Sequence, residues 1–225
     1  MNFAGKNVVV TDGSGALGDG VVAQLLNAGA TVFVPTFEAT PTLAERSGLH
    51  VTAGVDLTHE AAVTAFYGSI PGPLWASIHI AGGFAMAPLL ETRLADWQHM
   101  MAMNATSSFL CCREAARAMT DGGRIVNVAA KPALQAVGGM VAYSASKAAV
   151  ASLTLSLAEE LAPLGIWVNA IVPSIMDTPA NRAAMPTADH SAWPSVADVA
   201  QTAVFLASPS NAVSRGALVP VYGRS

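Results

Sequence analysis

Two side chains in the second half of the chain have the types and spacing needed for proton transfer. Tyr143 and Lys147 are four residues apart in a helical segment, so both lie on one face of that helix. A lysine ammonium near a phenol stabilises the phenolate and lowers the pKa of the tyrosine, which makes the tyrosine a usable general acid. The spacing predicts Tyr143 as a proton donor and Lys147 as the residue that activates it.

The surroundings of this pair favour chemistry over a solvated surface pair, which is the alternative. Segment 143–162 carries Ala or Leu on nearly every face, which indicates burial in a core or in a subunit contact. A third candidate, Asn104, falls in the helical stretch 93–119, where asparagine is unfavourable unless its amide is used. Asn104 has two open interpretations, a satisfied core amide or a catalytic group that positions a water molecule.

A glycine-rich turn near the N-terminus predicts a nucleotide site. It follows a strand-like run, Lys6–Thr11, and opens a helical segment from about Ala16 to Ala28. In this context glycines let the backbone approach a pyrophosphate, and the helix N-terminus supplies N–H donors. A tight turn without a ligand is the alternative. The predicted pyrophosphate contacts are Gly13, Ser14, Gly15, Ala16, Leu17 and Gly18.

The sequence leaves the choice between NAD and NADP open. Asp12 brings a carboxylate beside the expected pyrophosphate, which is unfavourable unless that carboxylate points away. After the second strand, Thr36 can bond either a ribose hydroxyl or a 2′-phosphate, and Glu38 can accept from the hydroxyl. No Arg or Lys stands next to these two residues to hold a phosphate.

An alternating α/β framework is needed to bring these groups together. Strand-length apolar runs alternate with helix-length segments, which is typical of βαβ crossovers and of a parallel sheet covered on both faces. We predict one doubly wound, Rossmann-type α/β domain over residues 1–225, with about seven parallel strands. The expected strands include Lys6–Thr11, Thr31–Val34, Leu74–Ile80, Arg124–Ala129, Ile166–Val172 and Ala217–Val221. Further helices are expected near 58–69, 93–119, 143–162 and 196–207.

Composition excludes several classes of protein. Apolar residues make up 52% of the chain, a proportion that excludes disorder. The uncharged stretch 61–90 is interrupted by Gly and Pro, so no transmembrane helix is expected. A net charge of −4 argues against a nucleic-acid surface. The adjacent Cys111 and Cys112 fit neither a disulfide framework nor a zinc site, so we expect no metal.

The N-terminal sequence and the low content of charged residues suggest where the protein is located and how it assembles. The N-terminus shows no apolar signal segment, so we expect a cytoplasmic protein. Charged residues make up only 12% of the chain, about half the usual share. We therefore expect a homodimer or homotetramer that buries surface through the helices near 93–119 and 143–162.

A lid-like loop is predicted at about 173–193, with a packed surface loop as the alternative. Thr178 and Pro179 form a helix start, with Thr as N-cap and Pro at the first position. A loop after the carboxyl end of a strand lies over the ligand crevice. The residues expected near the nicotinamide are Pro173, Ile175 and Thr178, and those expected to form a flexible apolar wall of the substrate pocket are Met140 and Met185.

From end to end the chain resembles the short-chain dehydrogenase/reductases. Thr11–Gly18 is similar to their glycine motif, with Asp12 and Ala16 where glycines are usual. Asp56-Leu57 is similar to their adenine-contacting acid, and His79-Ile80-Ala81-Gly82 keeps the last two residues of their Asn-Asn-Ala-Gly. The resemblance implies adenine contacts from Asp56 and Leu57 and cofactor contacts from Ala81 and Gly82.

The same resemblance covers three of four catalytic positions, which are Asn104, Tyr143 and Lys147. The fourth is usually a Ser thirteen residues before the Tyr, and Ala130 stands there. Quinonoid dihydropteridine reductases also lack that Ser, and the chain resembles them over Asp177–Pro186.

The resemblance implies an NAD(P)H-dependent reductase of a small, conjugated, electron-poor substrate, on which Phe84 stacks. A ketone or carbonyl reductase and a catalytically idle cofactor-binding subunit or sensor are the two alternatives. Asp12, His79 and Ala130 favour the idle protein, and the intact Asn104, Tyr143 and Lys147 oppose it.

Overall fold

Apolar, β-branched runs bounded by Gly or Pro form the strands of one parallel sheet. The computed structural model describes residues 1–40, 43–135 and 137–225 and pairs seven strands there in the order β3-β2-β1-β4-β5-β6-β7. The strands are β1 (Asn7–Thr11), β2 (Thr31–Pro35), β3 (Leu49–Thr52), β4 (Leu74–His79), β5 (Gly123–Val128), β6 (Ile166–Pro173) and β7 (Leu218–Val221). The predicted doubly wound α/β fold is confirmed. The edge strand β3 was not among the expected strands.

Helices lie between most of the successive strands, whereas β2 and β3 follow one another with no helix among the described residues between them. The helices are α1 (Ala16–Asn27), α2 (Glu60–Gly68), α3 (Leu94–Met100), α4 (Ser107–Ala118), α5 (Lys131–Leu134), α6 (Val141–Glu160), α7 (Pro179–Ala184) and α8 (Val196–Ala207). The predicted helical stretch 93–119 is present as an uninterrupted helical path from Leu94 to Ala118, but it is not α-helical throughout. A π-helical segment, Met101–Thr106, separates α3 from α4, and Asn104 lies within it. Such π-helical turns are frequent at functional sites.

The strand order places a crevice at the middle of the sheet. From β1 the chain runs outward through β2 to β3, then crosses back through α2 to β4, which pairs with β1. Because all strands are parallel, their carboxyl ends meet at one edge. The glycine turn after β1 and the segment after β4 lie side by side there, at the topological switch point where nucleotides bind in such sheets.

Both faces of the sheet are covered. Val8 and Val10 belong to the apolar cluster under α1 and α8, whereas Val9 between them belongs to the cluster under α2 and α4. This alternation follows from the two-residue period of a strand. The active-site helix α6 packs on the second face, against β6 and β5.

Membrane-spanning helices and metal-binding clusters are both absent from the described residues. Over residues 1–40, 43–135 and 137–225, every helix is too short or too polar to cross a bilayer. Within the same ranges, no group of three or more His, Cys, Asp or Glu side chains is arranged to hold a metal ion.

Candidate active site

Helix α6 carries the predicted proton donor to the carboxyl edge of the sheet. The Tyr143 ring lies 5.0 Å from the Phe84 ring, measured between centroids, in an edge-to-face arrangement. One turn later, the Lys147 ammonium is buried and donates a hydrogen bond of 2.8 Å to the Val128 carbonyl at the end of β5. The structure therefore places Tyr143, Lys147 and Phe84 at one end of the crevice.

The predicted lowering of the Tyr143 pKa is wrong for the chain as the structure shows it, because burial shifts this pKa in the opposite direction. Burial raises the pKa of the Tyr143 phenol to about 12, whereas the sequence argument expects a lowered value. Burial also lowers the pKa of the Lys147 ammonium to about 8. The physical reason is that desolvation disfavours both charged forms, and Lys147 is held by a backbone carbonyl. At neutral pH, Tyr143 keeps its proton.

Asn104 is a buried amide whose polar atoms are all used. Its Oδ1 accepts from the Gly83 amide at 2.9 Å, and its Nδ2 donates to the Gly83 carbonyl at 3.1 Å and to Ser146 Oγ at 2.9 Å. Ser146 Oγ in turn donates to the Tyr143 carbonyl at 2.8 Å. Asn104 therefore fixes the loop after β4 relative to the helix that carries Tyr143. Its predicted role in positioning a water stays a prediction.

Gly82 is the point where this cluster meets the crevice. A Cβ placed on Gly82 would lie 2.5 Å from Asn104 Oδ1 and 3.1 Å from Lys147 Nζ. Only a glycine fits, and the space that it leaves is shared by the amide and the ammonium. The adjacent Ala81 amide donates to Thr11 Oγ1 at 3.0 Å, which links the exits of β1 and β4.

A hydrogen-bonded chain beneath the site centres on His79, which replaces the asparagine usual in the resembled motif. Tyr67 Oη lies 2.8 Å from Ser77 Oγ, and Ser77 Oγ lies 2.8 Å from His79 Nε2. On the other side of the ring, His79 Nδ1 lies 2.8 Å from Asn127 Oδ1. A neutral imidazole with its proton on Nδ1 satisfies each of these contacts, and burial lowers the His79 pKa to about 4.

The chain continues into α6. Asn127 Nδ2 donates to Thr154 Oγ1 at 2.9 Å, and Thr154 Oγ1 donates to the Val150 carbonyl at 2.8 Å. Thr154 lies two turns after Lys147 on the same helix, so the network attaches the Tyr–Lys helix to the centre of the sheet. Sequence reasoning missed Asn127, Ser146 and Thr154. For Thr154 the available signal was a polar residue seven positions after Lys147 in a largely apolar helix, whereas Asn127 on β5 and Ser146 beside Lys147 had no such signal.

The other end of the crevice is a cleft of about 460 Å³ between the glycine turn, the end of β2 and the loop before α2. Six of the predicted cofactor residues line it, namely Ser14, Thr36, Asp56, Leu57, Ala81 and Gly82. Asp56 caps its own loop, since its Oδ1 accepts from the Thr58 amide at 2.8 Å and from Thr58 Oγ1 at 2.7 Å. These bonds lower the pKa of the Asp56 carboxyl.

The glycine turn fits a pyrophosphate by its shape. A Cβ on Gly18 would collide with the Asp12 carbonyl, so the close approach of α1 to the turn requires glycine there. Gly15 is the N-cap of α1 and has no side chain to cover the first amides of the helix. Gly13 and Leu17 are buried in the packing between turn, sheet and helix, and Ala16 begins α1.

The residues after β6 lie at the same carboxyl edge. Pro173 ends the strand, Ile175 is 42% exposed, and the Thr178 side chain accepts from the Asn181 amide at 3.1 Å as the predicted N-cap of α7. Met185 follows α7 and is half-buried. Met140 precedes α6 and pairs with Ala87, which brings it beside the loop that carries Phe84.

Ala130 lies two residues beyond β5 and is buried. Ser144 follows Tyr143, but it lines a separate groove of about 570 Å³ together with Ala145 and Ala148. Ser14 lines the cleft at the opposite end of the crevice. Neither serine occupies the place of the absent hydroxyl at Ala130.

The sheet order, the glycine turn and the Tyr–Lys–Asn cluster define a dinucleotide-binding α/β protein. Residues 6–189 match the family described as short chain dehydrogenase, and the chain belongs to that family. It is an oxidoreductase of this type, and its cofactor is NAD or NADP.

The relatives are diverse dehydrogenases. The chain is 34% identical to galactitol 2-dehydrogenase of Rhizobium johnstonii, over 96% of this chain and 93% of that protein. It is 30% identical to 2-dehydro-3-deoxy-D-gluconate 5-dehydrogenase of Bacillus subtilis, over 99% of this chain and 95% of that protein. A gluconate 5-dehydrogenase from Burkholderia cenocepacia, solved with NADP and tartrate, superposes with a TM-score of 0.89 at 25% identity, over 99% of this chain and 95% of that chain. These names indicate alcohol and ketone chemistry, and none of the three is a dihydropteridine reductase.

Proposed function

We propose that this protein is an NAD(P)H-dependent reductase of a small, planar, conjugated acceptor of the quinonoid dihydropteridine kind, with Tyr143 as proton donor. The acceptor takes up two electrons and two hydrogens, a hydride that the reduced nicotinamide supplies when bound and a proton from the Tyr143 hydroxyl. The pyrophosphate would be held by the turn Gly13–Gly18, the adenosine by the cleft at Thr36 and Asp56, and the nicotinamide ribose by Lys147.

The protonation states fit the reductive direction. A proton donor must be protonated before it reacts, and burial, which raises the Tyr143 pKa to about 12, keeps the phenol protonated at neutral pH while making it a weaker acid. Lys147, whose pKa is about 8, carries its charge below that pH and stabilises the phenolate that remains after proton transfer. Asn104 and Ser146 hold the helix and the loop on either side of the reacting position.

The observation that carries the proposal is an apolar rim, formed by Phe84, Met86 and Met140, beside the Tyr143 ring. Phe84 is 61% exposed and Met86 is 62% exposed. Met86 also lies next to Gly139, so the rim continues into the segment before α6. A flat aromatic or quinonoid ring gains stacking and burial there, whereas a polyol finds few partners for its hydroxyl groups.

Ala130 supports the same choice of substrate. A hydroxyl at that position would stabilise the negative charge that develops on a carbonyl oxygen. Ser14 and Ser144 lie elsewhere, and Ser146 already bonds Asn104 and the Tyr143 carbonyl. An acceptor whose conjugation is restored by hydride addition needs less of this help than a simple ketone does.

A second candidate function is the reduction of ketones and the oxidation of the corresponding alcohols. The names of the relatives favour it, because galactitol 2-dehydrogenase and 2-dehydro-3-deoxy-D-gluconate 5-dehydrogenase act at secondary alcohol or ketone carbons. A third candidate, an idle cofactor-binding protein, is less well supported, because the Asn104–Ser146–Tyr143 connection is intact.

The test follows the absorbance of reduced nicotinamide with purified protein, using NADH and NADPH in turn. The acceptors are a quinonoid dihydropteridine, a small quinone, a simple ketone and a keto sugar acid, with the Tyr143→Phe variant as the matched control. We expect turnover of the first two acceptors and its loss in the variant. Turnover confined to the ketone and the sugar acid would favour the second candidate. Inactivity with every acceptor, together with cofactor binding, would favour the third.

The segment 173–193 is proposed as a lid over the nicotinamide end. Arg182 Nε donates to Asp177 Oδ1 at 2.5 Å, and the Asp177 amide donates to the Pro194 carbonyl at 2.9 Å, so the segment is closed on itself at its base. Met185 and Ile175 give it an apolar side. Protection of this segment from proteolysis by added NADH or NADPH would support the assignment, and unchanged cleavage would oppose it.

A homodimer or homotetramer is also proposed, with α3, α4 and α6 at the contact. In the single chain these helices leave apolar side chains in water, including Leu94, Trp97, Phe109 and Leu155. Burial of such a face in a second copy removes a large apolar area from solvent. Light scattering at micromolar concentration should give at least twice the mass of one chain, and a monomer would contradict the proposal.

A further inference from the structure

The glycine turn contains a side chain with an unusual backbone conformation. Among the residues that the structure describes, Asp12 is the one non-glycine residue with a positive φ, at +55°. Asp and Asn tolerate this left-handed region better than most residues, but glycine is the usual solution. An aspartate here adds a carboxylate to a turn whose other polar side chain at the cleft is the uncharged Ser14.

That carboxylate faces the adenosine cleft. Asp12 and Glu38 line the cleft from two sides, one from the turn after β1 and the other from the loop after β2. Glu38 is held by its own backbone, since its carbonyl accepts from Thr36 Oγ1 at 3.2 Å and from the Gly54 amide at 3.2 Å. Desolvation and the neighbouring Glu38 carboxylate both raise the pKa of Asp12.

Among the described residues, no lysine or arginine side chain lines the cleft to balance this pair, although one histidine, His99, does line it. Within the described part of the chain, its lining includes the carboxylates of Asp12, Glu38 and Asp56 and no Lys or Arg. Asp56 is compensated, because its Oδ2 lies 2.9 Å from His59 Nδ1 and its Oδ1 accepts from Thr58. A hydrogen bond from the Gly15 backbone acts against the rise in the Asp12 pKa, and Asp12 and Glu38 both lack a Lys or Arg partner in the described lining.

We propose that Asp12, opposite Glu38, is a specificity-determining residue that admits the 2′-hydroxyl of NADH and rejects the 2′-phosphate of NADPH. The inference deepens the proposed function and rests on its dinucleotide site. A ribose hydroxyl donates a hydrogen bond to a carboxylate, whereas a 2′-phosphate brings further negative charge into a cleft whose described lining holds three carboxylates and no Lys or Arg. We therefore expect this chain to prefer NADH, although the gluconate 5-dehydrogenase from Burkholderia cenocepacia was solved with NADP.

A different role for Asp12 would leave another signature. Its Oδ2 lies 2.5 Å from the position that a Gly15 Cβ would take, so it is close to the start of α1. If the carboxylate acted mainly on the pyrophosphate, it would weaken NADH and NADPH equally, because both share that group. The ratio of the two dissociation constants separates these roles.

The experiment measures dissociation constants of NADH and NADPH by fluorescence titration, without any acceptor. The variants are Asp12→Asn, which keeps the side-chain shape and tolerates the positive φ, and Glu38→Gln. Glu45→Gln serves as the charge-matched control, since Glu45 is on the same loop as Glu38 and outside the cleft lining. Competition by AMP and by 2′-AMP repeats the comparison without the nicotinamide.

In the parent protein we expect NADH to bind at least about tenfold more tightly than NADPH, and the difference to shrink as salt is added. Asp12→Asn should tighten NADPH about fivefold and change NADH by less than about twofold, and Glu45→Gln should change neither. Equal binding of the two cofactors in the parent would overturn the inference, as would equal gains for both in Asp12→Asn. If neither cofactor binds, the proposed function fails as well.

Discussion

The polar side chains beneath Tyr143 and the apolar side chains around it differ in their exposure to solvent. The buried polar layer (Ser77, His79, Asn104, Asn127, Ser146 and Thr154) is closed to solvent, and each of its side chains is hydrogen-bonded. The apolar rim is open, with Phe84 and Met86 more than half exposed. The contrast assigns different tasks to the two regions. The layer fixes the positions of Tyr143 and Lys147, and under the proposed function the rim would select the acceptor.

This division has a physical reason. A fully satisfied buried network has one low-energy arrangement, because any displaced member leaves an unpaired polar group. Methionine and exposed phenylalanine side chains repack at little cost. The rim can therefore change with the substrate while the layer below keeps the same geometry. Changes in the layer should alter rate or stability, and changes in the rim should alter substrate affinity.

The largest effect is expected at the proton donor. Tyr143→Phe keeps the ring that contacts Phe84 and removes only the hydroxyl. We expect kcat to fall by about 10²–10⁴, because general acid catalysis contributes about that much. Dissociation constants for NADH and NADPH should stay within a few-fold in a fluorescence titration. Retention of full turnover would show that the proton comes from another group.

The next effect is on stability and comes from His79. Its pKa falls from the ordinary 6.5 to about 4 on folding, which is equivalent to about 3 kcal/mol. The unfolded chain binds this proton near pH 6.5 and the folded chain only near pH 4, so the unfolded state holds more protons in between. The free energy of unfolding should therefore decrease as the pH is lowered through this window and should be independent of His79 above it.

Urea unfolding of the parent and of His79→Asn at several pH values isolates this contribution, since the carboxylates titrate alike in both proteins. As the pH is lowered from 6.5 to 4, the free energy of unfolding of the parent should decrease relative to that of His79→Asn. A constant difference across the window would mean that His79 does not resist protonation. The polar layer would then be less closed than its hydrogen bonds indicate.

The sequence predicts the central strands of the sheet better than the edge strand or the turn that carries Asn104. Strands β4, β5 and β6 are predictable because both of their faces are buried, which leaves continuous apolar runs. The edge strand β3 (Leu49–Thr52) is short and half exposed, so it lacks that signal. The π-helical turn around Asn104 depends on its bonds to Gly83, which no local pattern encodes.

The spacing of Tyr143 and Lys147 identifies them as candidate catalytic residues, but it does not predict the direction in which the Tyr143 pKa shifts. The spacing places the ammonium and the phenol on one helix face, and it contains no information on how deeply that face is buried or on the Val128 carbonyl that Lys147 bonds. His79 was likewise visible only as a departure from a family motif, since its partners come from α2, β4 and β5. Residue types predict the chemistry, and tertiary packing sets the protonation states.

A smaller effect is expected from the rim. Phe84→Ala removes an exposed ring beside Tyr143 and should raise the KM for planar acceptors about tenfold, with kcat changed only a few-fold. Phe205→Ala is the matched control, because Phe205 is a partly exposed ring on α8. An equal response to a planar acceptor and to a small ketone would mean that the rim does not select by shape.

The smallest effect on the proposed reaction, and the sharpest test of the substrate, comes from Ala130→Ser. The added hydroxyl lies at the end of β5, near the carbonyl that holds Lys147. A conjugated acceptor does not need it, so that activity should change by no more than a few-fold. A simple ketone gains a hydrogen bond to its developing oxyanion, worth about 1–3 kcal/mol, so kcat/KM for ketones should rise about tenfold.

Ala129→Ser is the matched control for this change, because Ala129 is buried against Ala151 and Val172 on the other side of the chain. Its hydroxyl should lower stability without any gain on ketones. If the parent already reduces plain ketones efficiently and Ala130→Ser slows it, some other group polarises the carbonyl. Carbonyl reduction would then be the better proposal than reduction of conjugated rings. The apolar rim would in that case contact a hydrophobic ketone.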